Sequence, residues 1–158
     1  MIGALTGTIY TSHKNPIIVF VGGVGYAVNV AEHLLTELKK DEKKTFFVHT
    51  HVRDDALDLY GFVSAQEHAL FILLLSVSGI GPKTALSIVD RGVDAVRHAV
   101  VSSDVDFFTT IPRLGKKNAQ KIIIELKSKL GSTKELDLAS QSSGDTKEII
   151  DALLSMGF

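Results

Sequence analysis

Residues 77–89 read VSGIGPKTALSIV, with Gly79, Gly81 and Pro82 set immediately ahead of a helix that opens on Lys83. Such a run is either a tight turn or a backbone cradle for a phosphate. An internal repeat separates the two. Gly81-Pro82-Lys83-Thr84-Ala85 recurs 34 residues later as Gly115-Lys116-Lys117-Asn118-Ala119, and Ile88-Val89 is followed in register by Ile122-Ile123. Each copy places unpaired backbone amides at a helix start, where the helix dipole favours an anion, and sets a lysine beside them. Small residues ahead of the helix let a nucleic-acid backbone come close. Two such turns related by a pseudo-dyad can grip both strands of one duplex.

The charge pattern agrees. The net charge of −1 hides an uneven distribution: residues 1–62 carry six Lys/Arg against seven Asp/Glu, residues 63–131 nine against six, and residues 132–158 two against five. Within the basic middle, Lys116, Lys117, Lys121, Lys127 and Lys129 stand against Glu125 alone. A stripe of this kind attracts a polyanion, or is simply a solvated helix face. There is no cysteine, which excludes disulfides, thiol nucleophiles and thiolate metal sites and fits a reducing cytosol. The longest fully apolar run, Ala69 to Leu75, is seven residues, against the roughly 18 needed to span a membrane. No basic residue precedes an apolar core at the N-terminus, so no signal peptide is expected and the protein is read as cytoplasmic, without membrane contact.

Upstream of residue 63 the signals are β: IGALTGTIY, PIIVFV, VGYAVNV, KTFFVHTHV and LDLYGF, with AEHLLTELKK as a short helix among them. Five short strands with glycine turns predict a small closed barrel over 1–62. VFVGGVGYAV lacks the third glycine of a dinucleotide loop and reads as a hairpin turn or bulge. At Ser64 the periodicity changes: Ser64-Ala65-Gln66-Glu67 is a capping box, and a helix follows to about Val77. That helix is apolar nearly all round, so it is expected to be buried either against another subunit or between the two domains of one chain. Further helices are expected at about 81–90, 92–101, 103–109 and 115–130, making 63–131 an all-α domain. LGSTKELDLASQSSG predicts a flexible linker over 132–144, and TKEIIDALLSMGF shows helical spacing over 145–158.

Other chemistry has weaker signals. His49 and His51 face one side of a strand and could begin a metal site, but no third ligand is placed by spacing. Asp54 and Asp55 could begin the metal pair of a nuclease, or form a surface turn. Gly81 is followed by Pro82, which breaks the phosphate-loop pattern of an ATPase. Three functions are therefore weighed: a DNA-binding scaffold without catalysis, a metal-dependent nuclease using Asp54 and Asp55, and a protein-interaction module with solvated lysines. No cofactor and no bound metal are expected.

SGIGPKTA at 78–85 resembles the helix-hairpin-helix motif, and IPRLGKKNA at 111–119 resembles it with Arg113 where glycine is usual. Arg113 then either adopts a left-handed backbone or alters the turn. With MIGALTGTI, GVGYAV, VRDDALDLYGF and LGKKNAQKIIIELK, nearly the whole chain resembles the RuvA family of Holliday junction branch-migration subunits. The resemblance implies an OB-type barrel, a double helix-hairpin-helix domain and a C-terminal helical domain, of which 145–158 is the incomplete start. It implies a homotetramer, one or two per junction, that holds four-way DNA open and square. The implied partners are the RuvB ring ATPase, bound through the C-terminal domain, and the RuvC resolvase. Phosphates would be held at Gly79, Gly81, Lys83, Thr84, Arg113, Gly115, Lys116, Lys117, Asn118 and Lys121. Asp54 and Asp55 would form an acidic pin at the tetramer centre, beside Arg53.

Overall fold

The computed structural model describes residues 1–137, which divide into two compact units, Met1–His68 and the residues from Ala69 onward. The first unit is the expected barrel. Strands β1 (Ala4–Thr11), β2 (Ile17–Val21), β3 (Val24–Asn29), β4 (Lys43–Arg53) and β5 (Ala56–Phe62) close in the order β1-β2-β3-β5-β4, with helix α1 (Glu32–Glu37) between β3 and β4. Period-two alternation sends Leu5, Ile9, Ile17, Val19, Val28, Phe46, Val48 and Leu59 inward, and α1 adds Leu34 to the same core. Thr6, Thr8 and Tyr10 face out. Gly22 and Gly23 make a tight β2–β3 turn with φ of 56° and 84°, so VGGVG is a hairpin and not a dinucleotide loop. The barrel closes through a short parallel seam, Val28 opposite Leu59 and Asn29 opposite Tyr60, where Asn29 Nδ2 also donates to the Leu59 carbonyl at 3.2 Å.

Helix α2 (Ala65–Leu75) starts on the expected cap: the Glu67 amide donates to Ser64 Oγ at 3.2 Å. The return bond is displaced by one residue, because Glu67 Oε2 accepts from the Val63 amide rather than from Ser64. Ala69, Leu70, Phe71, Leu73 and Leu74 are buried within the chain itself, so much of this helix's apolar girdle is covered without a second subunit.

The second unit continues with α3 (Pro82–Val89), α4 (Val93–Val101), α5 (Val105–Thr109) and α6 (Lys116–Asp137). Helix α6 packs on α4 and α5, and Ile88, Val96, Phe108, Ile111 and Ile122 are among the side chains fully or almost fully buried. Asp104 caps α5 by accepting from the Phe107 amide at 3.0 Å. One boundary differs from expectation. Helix α6 runs on to Asp137, past the linker start expected at 132. A single glycine at 131 costs a running helix only about 1 kcal/mol, and Lys134, Glu135 and Leu136 are good helix formers. The rest of the expected linker, 138–144, and the C-terminal segment 145–158 lie outside the described residues. Among the described residues no helix is long and apolar enough to cross a membrane.

Candidate nucleic-acid interface

The two turns of the repeat share their backbone hydrogen bonding. In the first, the Ile80 amide donates to the Val77 carbonyl at 3.1 Å, and in the second the Leu114 amide donates to the Ile111 carbonyl at 3.2 Å. The first helical bond of α3 runs from the Ala85 amide to the Gly81 carbonyl at 2.9 Å, and that of α6 from Ala119 to Gly115 at 3.0 Å. Burial repeats as well: Val77, Ile80, Ala85 and Ile88 are buried, as are Ile111, Leu114, Ala119 and Ile122. The apolar residues thus anchor each turn, while Gly79, Gly81, Arg113 and Gly115 remain exposed between them.

Arg113 keeps the turn. Its φ is +66°, matching the positive φ of +87° at Gly79, the equivalent position. An L-residue tolerates the first angle, which falls inside the small left-handed region, far better than the second, which lies beyond it. Glycine is therefore needed at 79 and dispensable at 113. With Ile111 and Leu114 both buried, the turn cannot relax without pulling an apolar anchor into water.

The N-terminus of α3 is left open. Gly81 occupies the N-cap position with no side-chain cap and Pro82 begins the helix, so the amides of Lys83 and Thr84 have no partner in the helix itself. Lys116, Lys117 and Asn118 hold the corresponding first-turn positions of α6. The two turns are neighbours: a Cβ built on Gly79 would lie 3.5 Å from Asn118 Oδ1. Arg91 Nη2 adds a second tie, donating to the Thr110 carbonyl at 3.4 Å. Lys83, Lys116 and Lys117 are exposed and Lys121 is half-buried. Two members of the basic stripe are engaged locally: Lys127 donates to Ser103 Oγ, and Lys129 to Ser76 Oγ.

Asp54 and Asp55 belong to the barrel unit, where they form the exposed two-residue tip of the β4–β5 hairpin beyond the Arg53–Ala56 pair. Arg53 does not reach out from that tip; its Nη2 donates to Asp58 Oδ2 at 3.1 Å across the hairpin.

His49 and His51 lie side by side on β4, their rings 6.2 Å apart, and Tyr60 stands across from His49 on β5. His68 joins this half-buried cluster, stacked at 6.4 Å on Phe47, a neighbour that sequence spacing did not reveal. Burial, then the proximity of His51 and His68, lowers the pKa of His49; burial likewise lowers that of His68. Among the described residues no three His, Asp or Glu side chains are grouped to hold a metal ion.

A family model described as the RuvA N terminal domain matches residues 1–61, and one described as a SAM-like helix-hairpin-helix tandem matches residues 71–129. Curated relatives match the whole chain. The RuvA subunit of Leptothrix cholodnii is 39% identical over 160 residues, covering 84% of that protein. Those of Rickettsia bellii and Dehalococcoides mccartyi are 36% and 35% identical, with 82% of each covered. All three are named as the RuvA subunit of the Holliday junction branch migration complex. With the barrel order, the paired turns and full-length similarity in agreement, this chain belongs to the RuvA family.

Proposed function

We propose that this chain is a non-catalytic, structure-selective DNA-binding subunit that holds four-way junctions open as a homotetramer, one or two tetramers to a junction. The observation that carries it is the repeated turn, identical in its backbone bonding although Arg113 replaces glycine in one copy. Amides at Gly81, Lys83 and Thr84, and at Gly115, Lys116, Lys117 and Asn118, donate to phosphate oxygens of the two backbones. Lys83, Lys117, Lys121 and Arg113 add charge. Amide and lysine contacts to phosphate carry no base information, so binding is sequence-independent and salt-sensitive.

Selectivity for the junction comes from the barrel unit. Four copies of the Asp54–Asp55 tip, gathered at the centre of a tetramer, set carboxylates where continuous duplex would place phosphates. Each such pair costs on the order of 1 kcal/mol at 4 Å even at the dielectric of water. Repulsion of this sort adds nothing to affinity, but it disfavours unbranched duplex and helps part the strands at a crossover. Arg53, paired with Asp58, steadies the hairpin and leaves the tip acidic. The motor for branch migration is the RuvB ATPase, reached through the segment that follows the helix-hairpin-helix domain, and the RuvC resolvase acts on the same junction. Barrel (1–62) and helical domain (63–131) divide the labour. The nuclease alternative on Asp54 and Asp55 finds no support in the relatives, which are branch-migration subunits.

Titrating a labelled four-way junction and a linear duplex of the same sequence with the protein, at two salt concentrations, tests this. The junction should bind more tightly in every sequence tried, native mass should rise by multiples of four chains, and added magnesium should leave the DNA uncut. Equal affinity for duplex and junction, or cleavage, would refute it.

A further inference from the structure

We propose that the outer face of the barrel across β1, β2 and β3 is a stacking platform for single-stranded DNA. Two aromatic rings stand there in the open: Tyr10 is 52% exposed and Phe20 40% exposed, edge to face with ring centres 5.3 Å apart. Phe20 lies against Gly25, directly across the β2–β3 ladder; a Cβ there would approach its ring carbons to 3.3 Å, so the missing side chain makes room for the ring close to the sheet. Lys40 Nζ sits 5.6 Å over the Tyr10 ring. On the other flank, Thr8 pairs with Phe20 on one side and with Lys43 on the other, which sets an exposed lysine two strands from the ring.

The lysines choose the occupant. Cores of protein–protein contacts are depleted in lysine, whereas grooves for single strands combine aromatic faces with cations that follow the phosphates. In the run KKDEKK at 39–44 four lysines outnumber two acids, and Glu42 is already held by the Lys39 amide at 3.2 Å and by Lys44 at 3.8 Å. Every base offers a π-face, so binding here is tolerant of sequence. The proposal rests on the junction-binding reading for its source of unpaired bases, which an opened crossover supplies, but it concerns a different surface from the helix-hairpin-helix turns.

The test is anisotropy of the full chain with a labelled oligothymidylate and, separately, with a four-way junction. Wild type should bind both. Phe20→Ala should weaken the oligothymidylate roughly tenfold, the loss of one stacked base, and spare the junction. Phe20→Leu, which keeps apolar volume over Gly25 without the ring, should fall with it and so separates stacking from folding. Lys43→Ala should lower the single-strand salt slope by about 0.7, and Lys117→Ala should show the opposite preference, weakening the junction first. Junction binding without oligothymidylate binding, or Phe20 and Tyr10 variants that bind it as wild type does, overturns the platform alone. A fall in native mass of Phe20→Leu would also overturn it, making the face a contact between copies. Binding of neither DNA would take the junction reading down with it.

Discussion

Replacing Arg113 with glycine should raise thermal stability while loosening the grip on DNA. At a φ of +66° a residue with a Cβ bears a left-handed backbone cost of about 1–2 kcal/mol. Glycine removes that cost but gives the unfolded chain extra freedom worth about 0.4–1 kcal/mol. No packing is lost, because Arg113 is exposed and, among the described residues, no hydrogen bond or ion pair ties its side chain down. The balance is a gain of about 0.5 kcal/mol, or about 2–4 °C in Tm at the 4–8 °C per kcal/mol expected of a domain this small. Thermal melts followed by circular dichroism in one buffer would read it. In parallel, junction titrations should show a salt slope lower by about one if the guanidinium meets a phosphate. A Tm lowered by several degrees would mean that the arginine side chain supports the turn, and the account of strain at 113 would be wrong.

Lys117→Ala should weaken binding to every junction sequence alike and lower the salt slope by about one; a loss confined to particular sequences would contradict backbone recognition. Asp54→Asn combined with Asp55→Asn should keep the melt and native mass, raise affinity for plain duplex and cut the junction-to-duplex ratio, and an unchanged ratio at matched salt would leave the tip without an electrostatic role. Ile88→Ala and Ile122→Ala, equivalent and fully buried, should each cost about 2–5 kcal/mol by denaturant titration, with losses far apart arguing against equivalent packing of the two copies. Folded His49 and His68 titrate below their unfolded value near 6.5, so the unfolded chain binds more protons: the stability they contribute is present above pH 6.5 and is lost as pH falls toward their folded values. Melts from pH 7.5 down to 5 should show that decline, and His68→Gln should flatten it.

Much of this architecture was readable because local signals and global fold agree. Alternation along β1 and β4, the Gly22-Gly23 turn and the Ser64 cap each specify one local structure, and neighbouring elements do not overrule them. The conformation of Arg113 was not readable, since it depends on the burial of Ile111 and Leu114, a tertiary matter. Asn15 clamps Val30 through two hydrogen bonds of 2.8 and 2.9 Å, a contact between loop residues with no periodic signature. Sequence spacing likewise gave no sign that His68 would join His49 and His51, because a helix start and a strand meet only in the fold. The exposed Tyr10–Phe20 pair was hidden for another reason. Aromatic residues in a strand are expected to point inward, and only the register showed that these two fall on the outward phase.

The closure of the barrel has a consequence for how it breathes. Two residue pairs join β3 to β5, whereas seven join β4 to β5, so the ring has one weak place and one strong one. Within the barrel strands, amide exchange under native conditions should be faster at Asn29, whose ladder partner lies only across that seam, than along Phe47 to Val52. When the seam parts, β4 and β5 move off together as a hinged flap, still fastened to β1 by the pairs from Ala4–Phe47 to Thr8–Lys43. The acidic tip therefore rides at the end of a unit able to swing without unravelling, and the barrel has its compliance concentrated in one line of bonds.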